Sequence, residues 1–319
     1  ERHVTACEGG PVSSVRTQSR RQERTSRAHG PAGTRSSRST GHGTRDRPLG
    51  DRTAQMRSLL RRLTRGDPII DTDFDFRDDT PLDRDPDALS PTLRRYHRLL
   101  WSKPLPSGHR FELVATKPGV YLHHNSEVGA FSLSSDSVVP SFRKQKSVRD
   151  LIPQLPPGRF ERYMHIGYTI GGMMVFPSNM VDRKMTINGA RGCHPRIKDR
   201  FDLTVECIRR YYRSEESPLS AVLERYSAFF ALFGTFDGYV DFLLLQDIVS
   251  TNRSDVVFHA PFAGFGSSPV PDGFEEYERY LDRAEAFIKA RNRRIARWSE
   301  ANLTRSNDIG GEDVSIGTS

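Results

Sequence analysis

From residue 90 onward the apolar positions recur at helical or strand spacing and divide the chain into elements. Ser90 followed by Pro91 marks a helix start. A serine side chain accepts a free backbone N–H there, and proline tolerates the first helical position. The helix runs through TLRRYHRLLW, with Leu93, Tyr96, Leu99 and Leu100 facing inward and His97 as a packing or surface residue. It stops at SKPLPSG, where two prolines and a glycine break it.

Three strand-like segments follow: 111–116 (FELVAT), 120–124 (VYLHH) and 129–135 (GAFSLSS). Lys117-Pro118-Gly119 and Asn125-Ser126 supply turn chemistry, so an antiparallel meander is expected. His123 and His124 are adjacent on a strand and point to opposite faces, which disfavours a shared metal. The 141–160 segment is basic and then proline-rich, a surface connection with a short helix.

The run YTIGGMMVFP (168–177) predicts a central strand, with KMTING (184–189) returning as its hairpin partner. Gly171-Gly172 inside it signals a bulge or the close approach of another backbone or ligand. A helix is expected from Pro195, with Ile197, Phe201, Val205, Ile208 and Tyr212 as its apolar stripe. Ser217-Pro218 opens another, with Leu219, Val222, Leu223, Tyr226, Phe230 and Phe233 inward. The continuous apolar run YVDFLLLQDIV (239–249) predicts a central strand, paired by 254–262 (SDVVFHAPF). A last helix covers about 275–298, with Tyr277, Leu281, Ala284, Ile288, Ile295 and Trp298 inward. Strands and helices in clusters indicate α+β, a mainly antiparallel sheet packed by several helices.

Charge and composition set the limits of the folded part. The chain has a formal charge of +8. Residues 1–66 hold 15 arginines, no lysine and five acids, so the excess of positive charge lies there and the remainder is close to neutral. That segment has no aromatic residue and is rich in Ser, Thr, Gly and Pro, a composition that cannot offset the entropy of ordering. It reads as a disordered tail, with three origins open: a nucleic-acid arm, a transit peptide, or an upstream region not translated in the native protein, with Met56 as its start. A single domain over 67–300 follows, beginning with an acidic stretch (67–92) that lacks the glycine and glutamate of a calcium loop. Residues 301–319 are polar and frayed. No apolar run approaches the roughly 20 residues of a membrane span, and Cys7, Cys193 and Cys207 form no disulfide or metal spacing. A cytoplasmic location is the default.

Candidate chemistry gathers at 188–206. Asn188 and Arg191 sit among glycines in INGARG, ahead of a helix start, an arrangement suited to an anion; Arg200 is a further ligand candidate. Asp199, Asp202 and Glu206, spaced three and seven apart, are expected on one helix face as candidate acid, base or metal-binding groups. The bland reading makes them ion-pair partners of Arg209 and Arg210. His194, before a proline, is either an acid–base candidate or a helix cap. Asp241 and Asp247, in the 239–249 run, each need a cationic partner, with Arg191 or Arg200 as candidates.

The strings TIGGMMVFP, INGARG and DRFDLTVECIRRYY, with FFALFGTFDGYVDFLLLQDIV and SPTLRRYHRLLWSKPLPSG, together resemble an uncharacterised bacterial family classed as a domain of unknown function. The resemblance spans about 70–298 and leaves out the arginine-rich tail. It implies no activity, cofactor or catalytic residue. The function expected from the residues is binding of, or action on, a phosphorylated small molecule or nucleic-acid end at the 188–206 loop and helix. The alternative is a non-enzymatic interaction, regulatory or host-defence component whose polar groups form a structural network and whose partner is another protein.

Overall fold

Helix α10, Gly273–Asn302, runs for 30 residues and packs against the segments 146–149, 159–167, 170–172 and 246–248. Tyr277, Leu281, Ala284, Ile288 and Ile295 are all buried on one stripe, as the 3–4 residue spacing requires. The computed structural model describes residues 69–115, 121–138, 140–143, 145–179 and 181–303. Expectations for 1–66, for the 117–119 turn and for 304–319 lie outside the described residues.

The helices before α10 are α1 (Pro86–Leu89), α2 (Pro91–Trp101), α3 (Lys146–Arg149), α4 (Arg159–Gly167), α5 (Ile187–Cys193), α6 (Phe201–Tyr212), α7 (Ser220–Glu224), α8 (Ser227–Ala231) and α9 (Phe236–Phe242). The strands are β1 (Lys103–Pro104), β2 (Arg110–Phe111), β3 (Tyr121–Ser126), β4 (Gly129–Ser137) and β5 (Met173–Pro177). β3, β4 and β5 form an antiparallel sheet in that order, with Leu122 opposite Leu133 and Ser137 opposite Met173. The architecture is α+β, with its antiparallel strands in sheets of two and three.

Helix α2 begins as expected, with the Ser90 hydroxyl accepting the Leu93 N–H. His97 is buried, its Nδ1 accepting the Trp101 indole N–H at 3.0 Å. His124 stacks on Phe111 while His123 bonds Ser132, so the two histidines do face apart.

Several elements differ from expectation. Of the strand expected at 111–116, only Phe111 among the described residues lies in a strand, β2, which pairs with β1 rather than β3, while Val114 makes an isolated bridge to His123. Only Met173–Pro177 of the 168–177 run is strand, and β5 pairs with β4. Its proposed hairpin partner, 184–189, is instead the start of α5, because the Thr186 hydroxyl caps that helix by accepting the Gly189 N–H. The 239–249 run is not a strand. It is the end of α9 followed by a turn at Leu244, which has φ 53°. A short run apolar on all sides fits a buried helix as well as a buried strand. The 254–262 segment touches it through one bridge, Val249 to Val256. The helix expected from Pro195 begins at Phe201, since Lys198 and Asp199 take left-handed backbone conformations that end any earlier turn.

The glycine pair has a packing cause. A Cβ on Gly171 would lie 2.5 Å from both Asn292 Oδ1 and the Ile288 carbonyl of α10. The Gly171 N–H donates to Asn292 Oδ1 at 2.6 Å. One residue earlier on α10, the fully buried Arg291 donates to the carbonyls of Gly171, Met173, Leu243 and Leu244. The guanidinium thereby satisfies carbonyls that leave regular structure at two separate turns.

Candidate functional site

Helix α1 is only four residues long, but it fixes one carboxylate. Asp85 caps it by accepting the Asp87 N–H, and Pro86 occupies its first position. Asp87 Oδ2 then accepts the Ser137 N–H at the end of β4, at 3.1 Å. Its Oδ1 is buried and has no hydrogen-bond partner among the described residues. Burial, followed by the like charges of Asp136 and Asp85, pushes the Asp87 carboxyl up to about 8. It is therefore a neutral acid at pH 7, with a proton to donate.

Asp87 lines a cleft of about 490 Å³. Ser137, residues 140–143, Gln145, Tyr163 and Tyr168 form further walls, and Gly192, Lys198 and Asp199 close it. Three of its residues, Phe142, Lys198 and Asp199, have φ of 54°, 47° and 68°. Such backbone costs energy in residues with a Cβ and persists where surrounding bonds enforce it. Tyr163 and Tyr280 both donate to the Pro140 carbonyl, which anchors the start of the 140–143 wall. Arg143 and Lys198 face the cleft and form no ion pair among the described residues.

Beneath Asp199 lies Arg191. It is wholly buried on α5, and its guanidinium contacts Asp136, Asp199 and Thr204 and crosses the Phe176 ring at 5.6 Å. Burial pushes the Asp136 carboxyl up to about 6; Arg191 opposes this and Asp199 adds to it. The site thus holds one neutral carboxyl, one poised near neutrality and one tied to a guanidinium.

The remaining sequence candidates stand elsewhere. Asn188 donates to Ser134 at 3.1 Å, and its buried Oδ1 has no partner. Arg200 is buried and paired with Asp202 at 2.5 Å; it also donates to the carbonyls of Ala260 and Pro269. Burial works to raise the Asp202 carboxyl, but His259 and Arg200 hold it below the usual range. Glu206 is held low by Arg209 and Arg210 against the opposing effect of burial. Asp199 precedes the helix and so does not join the face of Asp202 and Glu206, which lie one turn apart on α6 and pair with different arginines, Arg200 and Arg209. Among the described residues no three His, Cys, Asp or Glu side chains are grouped to hold a metal ion. His194 caps the end of α5 rather than a helix start, and its Nδ1 accepts the Arg196 N–H. Asp241 pairs with Arg253 and Asp247 with Arg294, not with Arg191 or Arg200, because their run turns toward α10 instead of entering a sheet. Burial pushes the Cys207 thiol up to about 12, which leaves it inert at neutral pH.

Sequence reading missed Asp87 and Asp136. Both lie far from 188–206 along the chain, and only the β4 register and the α1 cap bring them to Arg191. The one available signal was an acid, Asp136, at the end of a strand otherwise made of small and apolar residues.

No helix among the described residues is long and apolar enough to cross a membrane. No curated protein and no solved structure matches the chain. A family model does match it over residues 70–295, which takes in the cleft, the Arg191 cluster and nearly all of α10; the chain belongs to the family of unknown function DUF6994.

Proposed function

We propose that the Asp87 cleft binds a phosphorylated small molecule and acts on it by general acid–base chemistry. The observation that carries this reading is the buried Oδ1 of Asp87, unpartnered among the described residues, in a cleft whose walls include two cations without carboxylate partners among those residues. Arg143 and Lys198 meet the phosphate, since guanidinium and ammonium groups are its natural donors. Asp87, neutral at pH 7, donates a proton to the ligand. Asp199, 38% exposed and oriented by Arg191, is the acceptor on the opposite wall. Arg191 positions Asp136 and Asp199 and does not touch the ligand. Arg200, Asp202, Glu206, Asn188 and His194 maintain the surrounding fold.

The test is thermal unfolding of the full chain against inorganic phosphate and a series of nucleoside and sugar phosphates. A ligand at about 100 times its Kd adds about 2.7 kcal/mol. The shift disappears in Arg143→Ala/Lys198→Ala, which melts like wild type without ligand. Turnover of that ligand is lost in Asp87→Asn while binding remains. If no phosphorylated compound shifts the transition, the reading fails.

A second reading, an interaction component held together by a polar network, is favoured by one observation. Arg191, Arg200 and Arg209 are all buried and each is neutralised internally. A flat response to every phosphate, together with a protein captured reproducibly by wild type but not by a cleft variant, supports it.

A further inference from the structure

A second cleft, lined by residues of α2, of the segment from β1 to Leu113 and of the end of α10, holds a lysine in unusual surroundings. Lys103 Nζ stands over three rings, Trp101 at 5.1 Å, Phe242 at 4.7 Å and Trp298 at 4.8 Å. It has neither a hydrogen-bond acceptor nor a carboxylate partner among the described residues. The side chain lines a cleft of about 600 Å³ together with Arg95, Arg98 and Arg110. Glu112 is the one acid among the described residues of that wall, and it faces Arg110 at 3.6 Å. The cleft therefore favours an anion and presents an amine at its apolar end.

We propose that Lys103 is a nucleophilic amine that forms an imine with an anionic aldehyde or ketone held by the arginines of this cleft. The amine lone pair attacks the carbonyl carbon and a C–N bond forms. The nitrogen gives up both of its hydrogens, by way of solvent, to the carbonyl oxygen; the C–O bond breaks, that oxygen leaves as water and the C=N bond is complete. No oxidant or reductant is needed. The arginines hold the carboxylate or phosphate of the ligand, which places its carbonyl at the apolar end.

The chemistry requires a free amine near neutral pH. Burial among the rings, and the Arg291 guanidinium behind Trp101, lower the Lys103 ammonium to about 7. Asp241 and the three ring faces act in the other direction, since an aromatic face attracts a cation. Among the described residues no carboxylate is close enough to bond the ammonium and restore its usual affinity for the proton.

The experiment uses the full chain, glyoxylate as the probe and cyanoborohydride to reduce any imine, followed by peptide mapping. At pH 7 ordinary lysines are almost fully protonated. The expected result is labelling of Lys103 at least about tenfold faster than of Lys146, Lys184, Lys198 and Lys289, with a rate that rises to a plateau above about pH 7. Lys103→Arg loses that label and leaves the others. Labelling spread evenly over the lysines overturns the proposal, as does a Lys103 rate that still climbs toward pH 10. Both outcomes are read on wild type, so the test stands even if Lys103→Arg fails to fold.

Discussion

Asp199 is tied to Arg191 through both its backbone and its side chain. Its N–H donates to the Arg191 carbonyl at 2.9 Å, its own carbonyl accepts from Nη2 at 2.8 Å, and its Oδ1 lies 2.7 Å from Nη1. These bonds hold Asp199 in its left-handed conformation at the mouth of the cleft. Arg191 is thus the internal support of a loop whose outer surface carries Lys198 and Asp199.

Removing that support leaves Asp136 buried without its cation and Asp199 without its clamp. Breaking a buried pair on one side costs about 3–5 kcal/mol. Arg191→Ala is expected to lower the unfolding free energy obtained from urea titration by that amount, and with it the urea midpoint. Arg191→Lys recovers only part of it, because one ammonium cannot reach the carboxylates, the carbonyls and Thr204 together. A wild-type midpoint in Arg191→Ala would show that the cluster contributes little.

Asp87 should give the protein an unusual pH dependence. Its folded carboxyl keeps a proton up to about pH 8, whereas an unfolded aspartate releases it near 3.9. Between those limits the folded state binds more protons than the unfolded state. Stability from this group is therefore full below about pH 4 and is lost as pH rises toward 8, by up to about 1.4 kcal/mol per pH unit. Asp136, pushed up to about 6, adds the same sign over a narrower range. Unfolding free energies measured from pH 5 to pH 8 should fall less steeply in Asp87→Asn than in wild type. Parallel curves would contradict the assignment.

Glu206 works in the reverse direction. Its folded carboxyl is held below the usual range, so its stabilisation is present above the unfolded value of about 4.3 and is lost as pH falls through the folded one. Glu206→Gln should therefore weaken the protein at pH 7 by about 1–3 kcal/mol and leave it nearly unchanged in strong acid. Acid titration of the two proteins by circular dichroism checks this.

Gly171 has no room for a side chain. Gly171→Ala places a Cβ 2.5 Å from Asn292 Oδ1 and from the Ile288 carbonyl, so α10 must shift. The expected cost is about 1–3 kcal/mol in thermal unfolding. Adding Asn292→Ala should not restore stability, because the backbone carbonyl stays and the Gly171 N–H loses its acceptor. Full rescue by the double variant would place the conflict in the Asn292 side chain alone.

Periodicity and caps along the chain determined several elements before any coordinates. The Ser90-Pro91 start, the α10 stripe, the β3–β4 pair and the α+β class were all legible, because each depends on neighbours within a few residues. Gly171-Gly172 announced a close approach, although not that α10 was the partner. The tertiary structure decided the rest. Whether 239–249 is strand or helix depends on what surrounds an apolar run, and the turn at Leu244 is fixed by Arg291, nearly 50 residues away. Arg191 read as a ligand-facing residue because its neighbours are small, yet the fold closes over it and supplies Asp136 from 55 positions upstream. Asp87 carries no local mark at all. Its raised affinity for a proton arises only when the end of β4 and the 192–199 loop take water away from it, and burial of that kind is a property of the assembled fold.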